Sequence, residues 1–150
     1  MVKRSGSHIE LYYHYVWTTK NREPIIDAEI EGGVQKALFS KAKELEIAIV
    51  ESNGTEDHFH VLVKSKATLT PADIAKHMKG TSSHFVNHVV LKGDTLRSLY
   101  WQDGYGVVSV SPGAVRSVQQ YIRKQKEHHK SGKLQGDLEV SQQPDGESIT

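Results

Sequence analysis

The chain has 150 residues, 37% of them hydrophobic and 25% charged, the make-up of one globular domain with a single core. No apolar run approaches the roughly 20 residues of a membrane span, and no apolar segment follows the basic start Met1-Val2-Lys3-Arg4 as a signal peptide requires. Cysteine is absent, which excludes disulfides, thiolate zinc sites and a cysteine nucleophile and suits a cytoplasmic protein. The net charge of +1 conceals an asymmetry. Residues 131–150 carry Asp137, Glu139, Asp145 and Glu147 against Lys133 alone, and without them the body holds 18 Lys/Arg and 14 Asp/Glu, a net +4. A mildly basic body is compatible with a nucleic-acid partner. Nine histidines invite a search for metal or phosphate chemistry.

Residues 1–8 read as a flexible start. Leu11 to Thr19, rich in aromatic and β-branched residues, predicts a strand that Asn21-Arg22-Glu23-Pro24 breaks. From Asp27 to Glu46, Ile30, Val34, Leu38 and Leu45, with Ala37 and Ala42, recur at a helical period, and Gly32-Gly33 weakens the first turns. Ile47 to Val50 predicts a short strand, Asn53-Gly54 a hairpin turn, and His58 to Lys64 the returning strand. Thr70-Pro71-Ala72-Asp73 starts a second helix, with a capping hydroxyl, a first-turn proline and an early acid. Ile74, Met78, Phe85 and Val89 would form its buried stripe. A last strand falls within Leu99 to Val110, and Ser111-Pro112 caps a third helix running to about Lys130. Residues 131–150 are polar and read as a disordered tail, leaving residues 9–130 as the domain.

The order β-α-β-β-α-β-α predicts an α+β, ferredoxin-like antiparallel sheet with one helix added at the C-terminus. In that fold the first and third strands lie at the centre, so His58-Phe59-His60 would sit beside the strand holding His14. Residues two apart on a strand share a face, so His58 and His60 point the same way and together can ligate a divalent ion. Tyr121 and Gln125, four apart on the third helix, share a face beside its apolar stripe and should be half-buried where the helix docks. The phenol is a poor nucleophile at its ordinary pKa near 10 and needs a metal-polarised phosphate or a proton acceptor. Gln125 offers a carbonyl oxygen, a reasonable third ligand for a hard ion. Each pair also has a plainer reading: a chance His-x-His, and a helix-edge tyrosine packed on the core beside a surface glutamine. Lys64 and Lys79 near the second helix, and Arg116 and Arg123 on the far side of the third, are candidate phosphate contacts or simply solvated charges.

Taken in order, these segments resemble a known family. Asp57-His58-Phe59-His60-Val61-Leu62-Val63 looks like the histidine–hydrophobe–histidine motif of the HUH single-tyrosine transposases, the transposases of IS-two-hundred-like insertion sequences. His14-Tyr15-Val16-Trp17 with Lys20-Asn21-Arg22 is similar to the family's first strand and turn. Lys79-Gly80-Thr81-Ser82-Ser83 resembles its second helix, and Trp101-Gln102-Asp103-Gly104-Tyr105 the strand before the last helix. Tyr121-Ile122-Arg123-Lys124-Gln125, followed by His128-His129, resembles its nucleophile helix.

The resemblance implies that His58, His60 and Gln125 hold a magnesium or manganese ion. It implies that Tyr121 attacks single-stranded DNA at element ends, leaving a 5′-phosphotyrosine link and a 3′-hydroxyl that reseals the strand. It further implies a homodimer, imperfect DNA hairpins as targets, and no nucleotide cofactor or membrane. A related branch, associated with repetitive extragenic palindromes, shows Asn-Pro after its tyrosine. Gln125-Lys126 here places the chain nearer the insertion-sequence branch. One departure is the polar, acidic stretch after Gly132, where similar chains continue with an apolar helical segment. The alternative is therefore a domesticated or inactive hairpin-binding protein of the same fold.

Overall fold

The computed structural model describes residues 6–127. The tail at 131–150, most of the flexible start and the end of the expected third helix lie outside those residues. Four strands, β1 (Leu11–Thr18), β2 (Ala48–Gly54), β3 (His58–Ser65) and β4 (Gly106–Val110), form one antiparallel sheet in the order β2-β3-β1-β4. Helices α1 (Ala28–Leu45), α2 (Pro71–Phe85) and α3 (Val115–Arg123) complete the ferredoxin-like order with its added helix. As expected, β1 and β3 are central.

Strand alternation separates two cores. Tyr15, Trp17, Phe59, Val61 and Val63 face α1 and α2, where Ile30, Val34, Leu38, Ile74 and Met78 are buried against them. On the opposite face, Leu62 and Val110 meet Val118, Tyr121 and Ile122 of α3, with Tyr12, Val50 and Val115 packed around them. His58 and His60 share parity with Leu62 and so look toward α3. Asp27 caps α1 by accepting from Ile30 N, and Thr70 caps α2 by accepting from Asp73 N.

Several expectations are corrected. The strand β2 is longer than Ile47–Val50, and Asn53-Gly54 is not the turn. Both residues pair in the sheet, with His60 and Phe59, and the chain reverses at residues 55–57, closed by Thr55 N donating to the His58 carbonyl at 2.9 Å. Gly54 is required by contact instead, because a Cβ there would lie 2.3 Å from the Phe59 ring. The register shifts between Ile49 and Glu51, leaving Val50 as an extra residue. This bulge changes the parity of β2, so Glu51 and Asn53 face α3 while Ser52 turns to α1 and bonds Gln35.

The buried stripe of α2 runs through Ile74, Ala75, Met78 and Ser82 and on to Val86, whereas Val89 is 58% exposed. Ser82 belongs inside because its hydroxyl accepts from Trp101 Nε1 at 2.9 Å. Past Phe85 the chain widens into a π-turn, Val86–Val90, which moves Val89 outward. Its Val86 and Val90 side chains lie against Gly33 of α1, where a Cβ would come within 2.7 Å of Val90. The last strand is confined to Gly106–Val110. Trp101 makes only an isolated bridge to Thr19, and Asn87 holds Leu99 by bonding both its N–H and its carbonyl. Among the described residues no helix is long and apolar enough to cross a membrane.

Candidate active site

On the α3 side of the sheet, side chains far apart in sequence form one buried group: His14 from β1, His58 and His60 from β3, and Tyr121 and Gln125 from the C-terminal segment. Exposures are 1% for His14 and His58, 0% for His60 and Gln125, and 6% for Tyr121, so Tyr121 and Gln125, expected at a half-buried edge, are buried instead. The sequence also placed Tyr121 and Gln125 on one helix running to about Lys130. The helix α3 instead ends at Arg123, Lys124 leaves helical geometry, and residues 125–127 begin a new helical stretch. The break lets Gln125 turn in over the sheet, where its Oε1 lies 3.4 Å from His58 Nε2.

The break is held from β2. Asn53 Nδ2 donates to the carbonyls of Ile122 at 2.9 Å and Arg123 at 3.2 Å, and Asn53 Oδ1 accepts from Lys126 Nζ at 2.6 Å. Lys126 also donates to the Gly54 carbonyl and pairs with Glu31.

Each candidate metal-binding histidine is held through Nδ1. His58 Nδ1 lies 2.8 Å from Asp57 Oδ1 and 2.9 Å from Thr55 Oγ1. Asp57 Oδ2 in turn accepts from Arg22, whose backbone, like that of Asn21, is left-handed (φ 54° and 58°). Burial opposes the charge on Asp57, but the hydrogen bond to His58 and the Arg22 guanidinium outweigh it and hold the carboxyl at about 2. His60 Nδ1 lies 2.9 Å from His14 Nε2, with the two rings stacked 5.1 Å apart. Burial lowers the pKa of His14 to about 4, so that ring is neutral at pH 7. The Tyr121 ring stands edge-on to His60, with centroids 5.8 Å apart, and to His14 at 6.5 Å.

These residues fit a divalent ion. Two adjacent ligands at bonds of about 2.1 Å must sit roughly 3 Å apart, near the 3.4 Å between His58 Nε2 and Gln125 Oε1. Among the described residues no group of three or more His, Cys, Asp or Glu is arranged to hold a metal. The groups that could hold an ion here are two imidazoles and an amide oxygen, with a carboxylate behind one imidazole.

The candidate DNA contacts divide. Arg116 is exposed on α3. Lys64 is exposed with its ammonium over the Tyr12 ring. Arg123 is exposed and paired with Glu51 at 3.0 Å. Lys79 is turned inward, donating to the carbonyls of Gln102 and Gly104 at 2.8 and 2.5 Å, and burial lowers its pKa. Sequence reasoning gave Asp57, Arg22, Thr55 and Asn53 no part in the site. An acid directly before His-x-His was the one available signal.

The chain matches the family model described as "Transposase IS200 like" over residues 7–125. It is 27% identical over 127 residues to the ISDra2 transposase TnpA of Deinococcus radiodurans, covering 83% of this chain and 91% of that one. A crystal structure of a Deinococcus radiodurans R1 protein assigned as a transposase superposes with a TM-score of 0.63 at 27% identity, over 84% of this chain and 98% of the other. A REP-associated tyrosine transposase bound to a REP hairpin shares the fold, with a TM-score of 0.61 at 13% identity, over 89% and 76% of the two chains.

Proposed function

The chain belongs to the family of IS200-like transposases, and we propose on that premise that it nicks and rejoins single-stranded DNA with Tyr121 as nucleophile and a divalent ion held by His58, His60 and Gln125. Membership makes it a transposase, an enzyme that transfers DNA strands. The observation that carries the finer reading is the convergence of His58, His60, Gln125 and Tyr121 in one buried cluster.

The Tyr121 oxygen would attack the scissile phosphorus, and the new P–O bond to tyrosine would replace the bond to the 3′-oxygen. The phenolic proton ends, overall, on the departing 3′-hydroxyl. The result is a 5′-phosphotyrosine link that a second 3′-hydroxyl reverses, so bond energy is conserved and no nucleotide is consumed. A magnesium or manganese ion, when bound, would polarise the phosphate. The other residues orient: Asn53 fixes the break after Tyr121, and Asp57 and His14 hold the imidazoles. Exposed Lys64, Arg116 and Arg123 would meet the DNA backbone. Hairpin DNA as the substrate is supported by the complex of the fold relative and by the family resemblance. A homodimer as the active unit rests on that resemblance alone.

The test is incubation with single-stranded hairpin oligonucleotides from DNA flanking the gene, with manganese or EDTA, followed by denaturing gels. A covalent adduct that requires metal and vanishes in Tyr121→Phe is expected. Hairpin binding with no adduct would replace this reading by that of an inactive binding protein.

A further inference from the structure

We propose that His14 is a positioning residue for the metal site, accepting a hydrogen bond from His60 Nδ1 and thereby fixing the tautomer in which His60 Nε2 carries the ligating lone pair. The inference deepens the metal reading above and rests on it. Its starting point is that both candidate ligands have Nδ1 engaged within the protein, His58 by Asp57 and Thr55 and His60 by His14. His58 Nδ1 faces Asp57 and Thr55, and a carboxylate paired with Arg22 only accepts, so the proton sits on His58 Nδ1 and its Nε2 faces Gln125 Oε1. His60 Nδ1 faces His14 Nε2 at 2.9 Å and is therefore not the ligating atom. Ligation falls to Nε2, which must then be unprotonated, and the proton between the two rings belongs to His60 Nδ1.

A second observation concerns the cost of keeping a histidine at position 14. The ring is buried, and its own Nδ1 has no hydrogen-bond partner among the described residues. A residue that only filled space beside Tyr121 and His60 would carry no such atom. The imidazole is explained by its other nitrogen. Outer partners of this kind set the tautomer and basicity of a metal-binding histidine, and their removal typically weakens metal affinity about 10–100-fold.

Two measurements test this on the full chain. In metal-free protein, long-range 1H–15N correlation spectra report each histidine's tautomer. His58 and His60 should both be protonated at Nδ1, and an Nε2-protonated His60 would overturn the inference. Titration calorimetry with Mn2+ should show about 10–100-fold weaker binding in His14→Phe, which keeps a ring without nitrogen. His14→Gln, whose side-chain oxygen can accept, should recover part of the loss. Thermal melts identify any variant that fails to fold, and the spectra of the unmodified protein then still decide. Mn2+ bound equally by the unmodified protein and His14→Phe would overturn the inference alone. An unmodified protein that binds no Mn2+ would overturn the metal reading and this inference with it.

Discussion

Asn53 Nδ2 donates to the carbonyl of Ile122 at 2.9 Å, tying an edge strand to the residue directly after Tyr121. The same amide accepts from Lys126 on the far side of the break. One side chain thus spans the point where α3 stops and Gln125 turns inward. Asn53→Ala should cost about 1–2 kcal/mol of stability, the range for losing partly buried hydrogen bonds. It should slow adduct formation more than it weakens hairpin binding, because the nucleophile segment loosens while no charged side chain is removed. Single-turnover rates and binding isotherms on the same variant decide. An equal loss in both would mean the clasp serves only folding.

Two glycines should respond oppositely to alanine. At Gly54 a Cβ would sit 2.3 Å from the Phe59 ring, and Phe59 is buried in the main core. Gly54→Ala should destabilise by about 1–3 kcal/mol, the usual cost of overpacking. Gly32, exposed within α1, has nothing within 4 Å of its Cβ position. Gly32→Ala should stabilise by about 0.5–1 kcal/mol, the helix-propensity gain. Urea unfolding of both variants checks the pair, and a shared sign would contradict the packing at Gly54.

Asn53 and Gly54 also show where the sequence was legible and where it was not. The alternation of Phe59, Val61 and Val63 against His58, His60 and Leu62 is a property of adjacent residues, so the shared face of the histidines could be read directly. The helix starts at Asp27 and Thr70 were equally local. The pair Asn53-Gly54 carries a turn signal, yet the bulge at Val50 and the Phe59 ring decide its role, and both are tertiary facts. The break at Lys124 has no proline or glycine to announce it and depends on Asn53 reaching across from β2. The inward turn of Lys79 depends likewise on carbonyls more than twenty residues away.

Metal-free protein should lose stability as pH falls from about 6.5 to about 4. His14 is held at about 4 by burial against an ordinary 6.5, so in that window the unfolded chain takes up a proton that the native state refuses. Stability from this group is full above 6.5 and is lost as pH falls through the folded value, on the order of 3 kcal/mol in all. Asp57 acts in a lower window. With an ordinary value of 3.8 and a folded value of about 2, its contribution persists above about 4 and disappears as pH falls through 2. Urea unfolding in EDTA at pH 7 and 4.5 should show a smaller pH-dependent loss for His14→Phe than for the unmodified chain. Parallel losses would remove His14 as the source.

Lys79 and Arg116 should separate structure from DNA contact. Lys79 satisfies two loop carbonyls beside Trp101, one exposed and one part-buried, so Lys79→Met should cost about 0.5–1.5 kcal/mol, the net worth of such hydrogen bonds. The salt dependence of hairpin binding should stay unchanged. Arg116 is exposed on α3, and Arg116→Ala should leave stability within about 0.5 kcal/mol. If Arg116 neutralises one phosphate, the slope of log affinity against log salt should become shallower by about 0.7–0.9. Binding isotherms at several salt concentrations, with a thermal melt for each variant, give both quantities. A flattened slope in Lys79→Met would return that lysine to the DNA surface. An unchanged slope in Arg116→Ala would remove the exposed side of α3 from it.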